Sequence, residues 1–295
     1  MSRPFKISFL QYIGGKSRLV KRLLQLMPPH KCYVEVFGGG AQLLFAKEPS
    51  RTEVYNDVDG RLVNLFMVAR DRSLELQERL MTLPYSRRLY REYNRSVETG
   101  DPLEDAVRFF YVVRSSFGGQ VGSGWSVGTT KNEAGAYFSV VSRLALVSKR
   151  LENVQVEDLD FRECIKRYDR AWTLFFLDPP YYGVKRYKHV FSEQDHADLA
   201  EILRHVKGKW LLTYNDHPRV RSLYAGFDLE LDKLPAYGQM RKGEERRDTW
   251  DQLIIANYEL QRPLQFLKYR FYPERLKIPG TGSAFKSAKP KVRSI

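Results

Sequence analysis

The stretch CYVEVFGGGAQLLFAKEPSRTEVYND, residues 32–57, decides the reading of the fold. CYVEVF (32–37) is an apolar run of strand length. Gly38, Gly39 and Gly40 permit a tight turn, AQLLFAKE (41–48) has helical character, and TEVYND (52–57) reads as a second strand. Strand, glycine turn, helix and strand together open an α/β sheet. The same alternation returns downstream. WTLFFLDPPYYG (172–183) is an apolar strand stopped by two prolines, which cannot continue a ladder. DHADLAEILRHV (195–206) is amphipathic, with Ser192 and Asp195 at capping-box spacing before it. KWLLTYND (209–216) and TWDQLIIANYEL (249–260) read as later strands. Residues 1–59 and 151–260 are therefore expected to build one α/β domain.

The intervening residues 60–150 differ. GRLVNLFMVARD, SLELQERLMTL, SRRLYREYNRSV, LEDAVRFFYVVRSS and FSVVSRLALVSKRL all read as helices. Between the last two lies SFGGQVGSGWSVGTTKNEAG (116–135), with five glycines from Phe117 to Gly128. Surface loops of this kind commonly carry function. Residues 261–295 form a basic tail with nine Lys/Arg against one acid.

The whole chain has 295 residues, 43% of them hydrophobic, and a formal net charge of +14. That composition is globular, and the charge favours a polyanionic partner such as nucleic acid. No apolar run reaches the ~20 residues of a membrane-spanning helix. The two cysteines, Cys32 and Cys164, form no pattern and read as buried thiols of a cytoplasmic protein. The five histidines show no ligand spacing, so no metal is expected. GGKS (14–17) ends like a phosphate-binding loop, but that pattern needs a glycine where Leu10 stands. Lys16 must therefore meet another ligand or solvent.

Two acidic positions carry the chemistry. Asp57 ends the second strand, 17–19 residues beyond the glycines, where an acid can accept hydrogen bonds from ribose hydroxyls. The full G-x-G-x-x-G pattern is absent, so a nucleoside lacking a pyrophosphate fits better. Asp178 precedes Pro179, Pro180 and Tyr181 at the end of an apolar strand. The prolines fix the backbone so that a carboxylate and a carbonyl address one point. A planar amino group offers one hydrogen to each, and an aromatic ring follows that can stack on a base.

YIGGK, VEVFGGGAQLLF, VYNDVDGRLVN and LDPPYYG, in this order, resemble the Dam-like N6-adenine DNA methyltransferases of the α class. FSEQDHADLAEIL, LLTYNDHP and DQLIIANY fall where that family has similar segments, so the resemblance covers about residues 8–258. It implies a Rossmann-like α/β domain dependent on S-adenosylmethionine, with the helical residues 60–150 as an inserted target-recognition domain. Tyr12 and Lys16 match the cofactor-contacting segment. Glu35, Phe37 and Gly38 to Gly40 match the glycine-rich motif, with Val36 where proline is common. Asp57 matches the ribose partner, and Asp178, Pro179, Pro180 and Tyr181 match the catalytic motif, with Asp178 also expected beside Lys16, Glu35 and Asp57 in the wall of the cofactor pocket.

The implied partner is double-stranded DNA in a prokaryotic or phage-infected cell, with a monomer expected. Neither cysteine follows a proline as a cytosine-directed nucleophile would. Arg114, Phe117, Gln120 and Trp125, in or beside the glycine loop, are candidates for DNA reading. Arg87, Arg88, Arg91 and Arg95 form a basic run that can grip phosphate or lie solvated. RNA or protein-amide N-methylation, and a non-catalytic DNA-binding protein of the same fold, are the alternatives. Asp178 argues against amide methylation, where asparagine is usual.

Overall fold

The computed structural model describes residues 9–10, 19–96, 98–119, 121, 124–184, 191–237 and 249–260. The basic tail at 261–295 lies outside the described residues. Seven strands are present among those described: β1 (Cys32–Glu35), β2 (Thr52–Asn56), β3 (Val154–Glu157), β4 (Thr173–Leu177), β5 (Lys209–Asn215), β6 (Asp228–Tyr237) and β7 (Thr249–Ala256). They form one sheet in the order β3-β2-β1-β4-β5-β7-β6. The first five run parallel, and β7 is antiparallel to both β5 and β6.

Eleven α-helices accompany them among the described residues. They are α1 (Val20–Leu26), α2 (Gln42–Ala46), α3 (Gly60–Asp71), α4 (Ser73–Met81), α5 (Arg87–Arg95), α6 (Pro102–Ser115), α7 (Glu133–Val141), α8 (Leu144–Leu151), α9 (Phe161–Tyr168), α10 (Glu193–His205) and α11 (Pro218–Leu223). The result is an α/β sheet, as residues 32–57 suggest, with the Rossmann-like architecture that the resemblance implies.

Strand periodicity distributes the side chains between two cores. Tyr33, Tyr55, Leu174, Phe176 and Leu211 join one buried cluster, while Val34, Val54, Phe175, Leu177 and Leu212 join the other. Burial on both faces explains why the central strand β4 reads as a nearly continuous apolar run. The first cluster extends into the helical region through Phe66, Phe110 and Tyr137, so sheet and helices share one core on that side. Helix α6 is central there, with Phe109, Phe110, Tyr111, Val112 and Val113 all buried. Asp101 starts it by accepting from Leu103 N at 3.0 Å, and Pro102 occupies its first turn.

Three elements depart from the sequence reading. FSVVSRLALVSKRL is two helices, broken at Ser142–Arg143, and the bend lets Val141 and Leu144 both be buried. Strand β3 is a four-residue edge whose mixed VQVE pattern carries little apolar signal. Strand β6 contains Pro235, which an edge strand tolerates, with a register irregularity between Asp232 and Ala236.

A buried ion cluster joins β2 to the helices. Glu53 is 2% exposed and pairs with Lys47 and Arg150. Arg150 donates to it at 2.5 and 3.1 Å and also reaches the Leu44 carbonyl at 2.7 Å. Burial alone would raise the Glu53 pKa, but the hydrogen bonds from Arg150 and Lys47 outweigh it and hold the group below its ordinary value. Removing one member leaves buried charge uncompensated. Glu53→Gln should therefore cost about 3 kcal/mol of unfolding free energy, read by denaturant titration. The depressed pKa means that this stabilisation is present above the ordinary carboxylate range and is lost as pH falls through the folded value, so the variant's deficit should shrink in acid.

Candidate active site

The strand order reverses direction at β1, whose neighbours are β2 on one side and β4 on the other. In open α/β sheets ligands bind beyond the carboxyl ends of strands at such a point. The registers place three residues at one level there. Glu35 pairs with Tyr55 on β2 and with Phe176 on β4. Two residues further along each chain come Phe37, Asp57 and Asp178.

The glycine turn is shaped by β2. A Cβ on Gly38 would lie 2.3 Å from the Tyr55 ring, so only glycine fits there. The Tyr55 hydroxyl donates to the Gly39 carbonyl at 2.9 Å, and Gly39 adopts φ 49°. Asp57 closes the turn. Its Oδ2 accepts from Gly39 N at 2.8 Å and its Oδ1 accepts from Asp59 N at 2.8 Å. Its carboxylate oxygens are acceptors at the end of β2, the chemistry that a hydroxyl donor requires. Asn56 locks the neighbouring loop by donating to the carbonyls of Val36 at 2.9 Å and Leu159 at 3.0 Å.

Glu35 is buried at the end of β1. Its Oε1 accepts from the Tyr33 hydroxyl at 2.8 Å and from Leu44 N at 2.6 Å. Burial dominates those donors and raises its pKa to about 7. Phe37 is half-buried and packs on Phe161 and Phe191, with ring centroids 5.8 and 5.7 Å away.

The Asp178–Tyr181 segment emerges from β4 and is pinned by β5 and β7. Thr213 on β5 donates to Asp178 Oδ1 at 2.8 Å. Asn215 binds the Tyr182 backbone on both sides: its Oδ1 accepts from Tyr182 N and its Nδ2 donates to Tyr182 O, each at 3.1 Å. Gln252 on β7 donates to the Tyr181 hydroxyl at 2.6 Å. Pro179 is buried, while Asp178 and Pro180 are half-buried.

The Tyr181 ring is only 8% exposed and stacks on Tyr214 at 5.8 Å. It is thus packed against the sheet rather than standing open as a platform. Burial first, then the nearby Asp178 carboxylate, push its hydroxyl pKa well above the ordinary range. Tyr182 is the more exposed aromatic, 4.5 Å from His217 and 5.0 Å from His196. Thr213, Asn215 and Gln252 were not singled out from sequence. Their signal was present in LLTYND and TWDQLI as polar residues inside apolar strands.

His196 is buried and hydrogen-bonds the Tyr214 hydroxyl, and burial lowers its pKa. Among the described residues no group of His, Cys, Asp and Glu is arranged to hold a metal ion, and no helix is long and apolar enough to cross a membrane. Tyr12 and Lys16 lie outside the described residues.

The glycine loop forms a tight return after α6. Ser116 and Trp125 make an isolated antiparallel bridge, with Phe117 N donating to Gly124 O at 2.8 Å. Phe117 is 43% exposed beside Gly118 and Gly119, whose φ values are 67° and 71°. Trp125 is half-buried against Tyr85 at 5.4 Å, with the Arg87 guanidinium 4.9 Å above its ring. Arg114 is half-buried, and its Nε and Nη1 have no hydrogen-bond partner among the described residues. Burial lowers its pKa. Phe117 is thus presented to solvent, whereas Arg114 and Trp125 support the loop from within. Gln120 lies outside the described residues.

Comparison with known proteins agrees with this geometry. A type II methyltransferase of Lactococcus lactis subsp. cremoris is 24% identical over 282 residues, covering 85% of this chain and 95% of that protein. A DNA N-6-adenine-methyltransferase of Escherichia phage P1 is 26% identical over 279 residues, covering 85% of this chain and 35% of the longer phage protein. Residues 12–234 match the model of the D12 class N6 adenine-specific DNA methyltransferases. The chain belongs to that family, whose enzymes move a methyl group from a donor to N6 of adenine in DNA.

Proposed function

We propose that the protein transfers a methyl group from S-adenosylmethionine to adenine N6 within a specific sequence of double-stranded DNA, with the adenine rotated out of the helix. The observation that carries this reading is the Asp178–Pro179 corner, held by Thr213 at the strand-order reversal and level with Phe37 and Asp57.

The residues present suit that methyl donor. Asp57 offers carboxylate oxygens to a ribose. Glu35 offers a buried carboxylate to positive charge, and Phe37 offers an aromatic face. The Gly38–Gly40 turn allows close backbone approach, and Tyr12 and Lys16 complete the proposed set. S-adenosylmethionine supplies an electrophilic methyl group on a sulfonium.

The protein's task is to prepare the nitrogen. The N6 lone pair of adenine is delocalised into the ring and is a weak nucleophile. Asp178 and the Pro179 carbonyl accept one hydrogen bond each from the amino hydrogens. This favours a more tetrahedral nitrogen with its lone pair aimed at the methyl group, so orientation and electrostatics supply the acceleration. Asp178 also stands ready to take the proton that the methylated nitrogen releases. Pro180 fixes the corner, and Tyr181, anchored by Gln252 and Tyr214, braces it.

Extruding the adenine costs a few kcal/mol, offset in part by contacts of basic residues with the phosphates. We assign residues 1–59 with 151–260 to cofactor binding and catalysis, and residues 60–150 to target recognition. Phe117, Gln120 and Trp125 belong to the reading loop, with Arg114 beside it at the end of α6 and Phe117 as the wedge at the vacated position. The tail at 261–295 adds basic charge. The enzyme works as a monomer in the cytoplasm of a prokaryotic or phage-infected cell.

Purified protein with methyl-labelled cofactor should label adenine in duplex DNA in preference to RNA. Asp178→Ala should lower that transfer by roughly a hundred- to a thousandfold, the scale of losing a transition-state hydrogen-bond partner, while much of the DNA binding survives. Transfer to RNA in preference to duplex DNA, or full activity in the variant, would contradict the reading.

Thr213→Val removes the hydroxyl that positions Asp178. It should lower kcat about tenfold with KM for DNA nearly unchanged, because an interaction felt in the transition state is lost. Thr213→Ser should restore most of the rate.

Glu35 gives a pH dependence with a definite sign. Its pKa of about 7 lies above the ordinary carboxylate value, so the charged form is lost as pH falls below 7. Affinity for the cationic cofactor should weaken by roughly up to tenfold per pH unit below that point. Calorimetry at pH 8 and pH 6 should show this in the wild type and a flatter profile in Glu35→Gln. The same raised pKa stabilises the cofactor-free fold most below the ordinary carboxylate range, and that contribution is lost as pH rises through 7.

A further inference from the structure

We infer that the arginine face of α5 is a phosphate-binding surface that grips the duplex beside the reading loop. The inference rests on the DNA-methyltransferase reading and assigns it a second contact region.

Arg87, Arg88, Arg91 and Arg95 are all exposed and line one groove of about 500 Å³, with Glu92 the sole acid among its lining residues. Elsewhere arginines close onto carboxylates: Arg61 on Asp59, Arg72 on Glu75, Arg108 on Glu104, Arg162 on Asp195 and Arg221 on Asp216. Among the described residues, none of the four arginines on α5 has a carboxylate partner.

Their arrangement is self-repelling. Arg87 and Arg91, and Arg91 and Arg95, stand four residues apart on one helix, a like-charge spacing that destabilises it. Arg87 and Arg88 also occupy the first turn, which has no acid and where the helix dipole is already positive. An anion along this face relieves both effects. The face also adjoins the loop proposed to read the bases, because the Arg87 guanidinium lies over the Trp125 ring. A polyanion laid across α5 therefore continues to the exposed Phe117 side of the same loop. The regular phosphates of a DNA backbone meet these requirements. An isolated phosphate would satisfy one arginine pair and leave the rest of the row unneutralised.

Arg88→Gln, Arg91→Gln and Arg95→Gln combined test the inference. None of the three is placed in the cofactor pocket. The measurement is duplex binding across a salt series, using the cognate sequence and a scrambled duplex. A control triple variant, Arg51→Gln, Lys166→Gln and Lys207→Gln, removes equal charge from other exposed positions. Loss of phosphate contacts should make the slope of log affinity against log salt shallower by about 0.9 for each contact removed. Affinity near ~0.15 M salt should fall roughly tenfold or more for both duplexes alike. KM for DNA should rise, with kcat at saturating DNA and cofactor affinity retained.

An unchanged slope, or a loss no larger than the control triple's, overturns the inference and leaves methyl transfer standing. A loss confined to the cognate duplex also overturns it, since the row would then read bases. A folded wild-type protein that binds no duplex at any salt overturns both readings. Weak binding of inorganic phosphate, unaffected by the triple variant, agrees with a backbone grip rather than a single-anion pocket.

Discussion

The position of β1 between β2 and β4 is the constraint on which the rest depends. With β2 on one side and β4 on the other, the chain leaves the carboxyl end of the sheet in opposite directions and opens a crevice. The register then brings residues far apart in sequence to one level. Phe37 follows β1, Asp57 follows β2 and Asp178 follows β4, and each is the second residue beyond a paired position. A slip of one residue in either pairing would send alternate side chains to the wrong face. The two buried cores guard against that slip, because each strand commits alternate residues to each of them.

The crevice is made rigid by polar residues whose partners are backbone groups or one another. Asp57 holds Gly39 and Asp59, Asn56 holds Val36 and Leu159, and Asn215 holds Tyr182. Thr213 and Gln252 do the same for Asp178 and Tyr181. In the proposed reaction orientation is the chief requirement for a weak nitrogen nucleophile, and locking the loops that carry the proposed acceptors would meet it. The Tyr55 ring has a related task, since its contact with Gly38 sets how the glycine turn leaves the sheet.

Much of this was legible in the chain. Residues 32–57 announced the α/β sheet through the order of strand, glycine turn, helix and strand, and LDPPYYG announced a rigid corner at a strand end. The ordered motifs pointed to adenine methylation, in agreement with the family match over residues 12–234. Other features were hidden for physical reasons. Strand β3 is a short edge with mixed polarity, and β6 carries a proline and an irregular register. The bracing by Thr213, Asn215 and Gln252 depends on the long-range pairing of β5 with β4 and of β7 with β5, which no local pattern encodes. The burial of Tyr181 was equally unreadable, because a tyrosine after two prolines suits an open platform and a packed brace alike.

The central claim is that the crevice presents Asp178 and the Pro179 carbonyl to the amino group of adenine in DNA. Single-molecule sequencing of DNA from a host expressing the protein tests it most directly. The account predicts N6-methyladenine at one short recurring sequence with the wild-type protein, and its disappearance with Asp178→Ala at equal protein level. Methylation at cytosine, or an unmodified genome in the presence of folded protein that binds its cofactor, would contradict it.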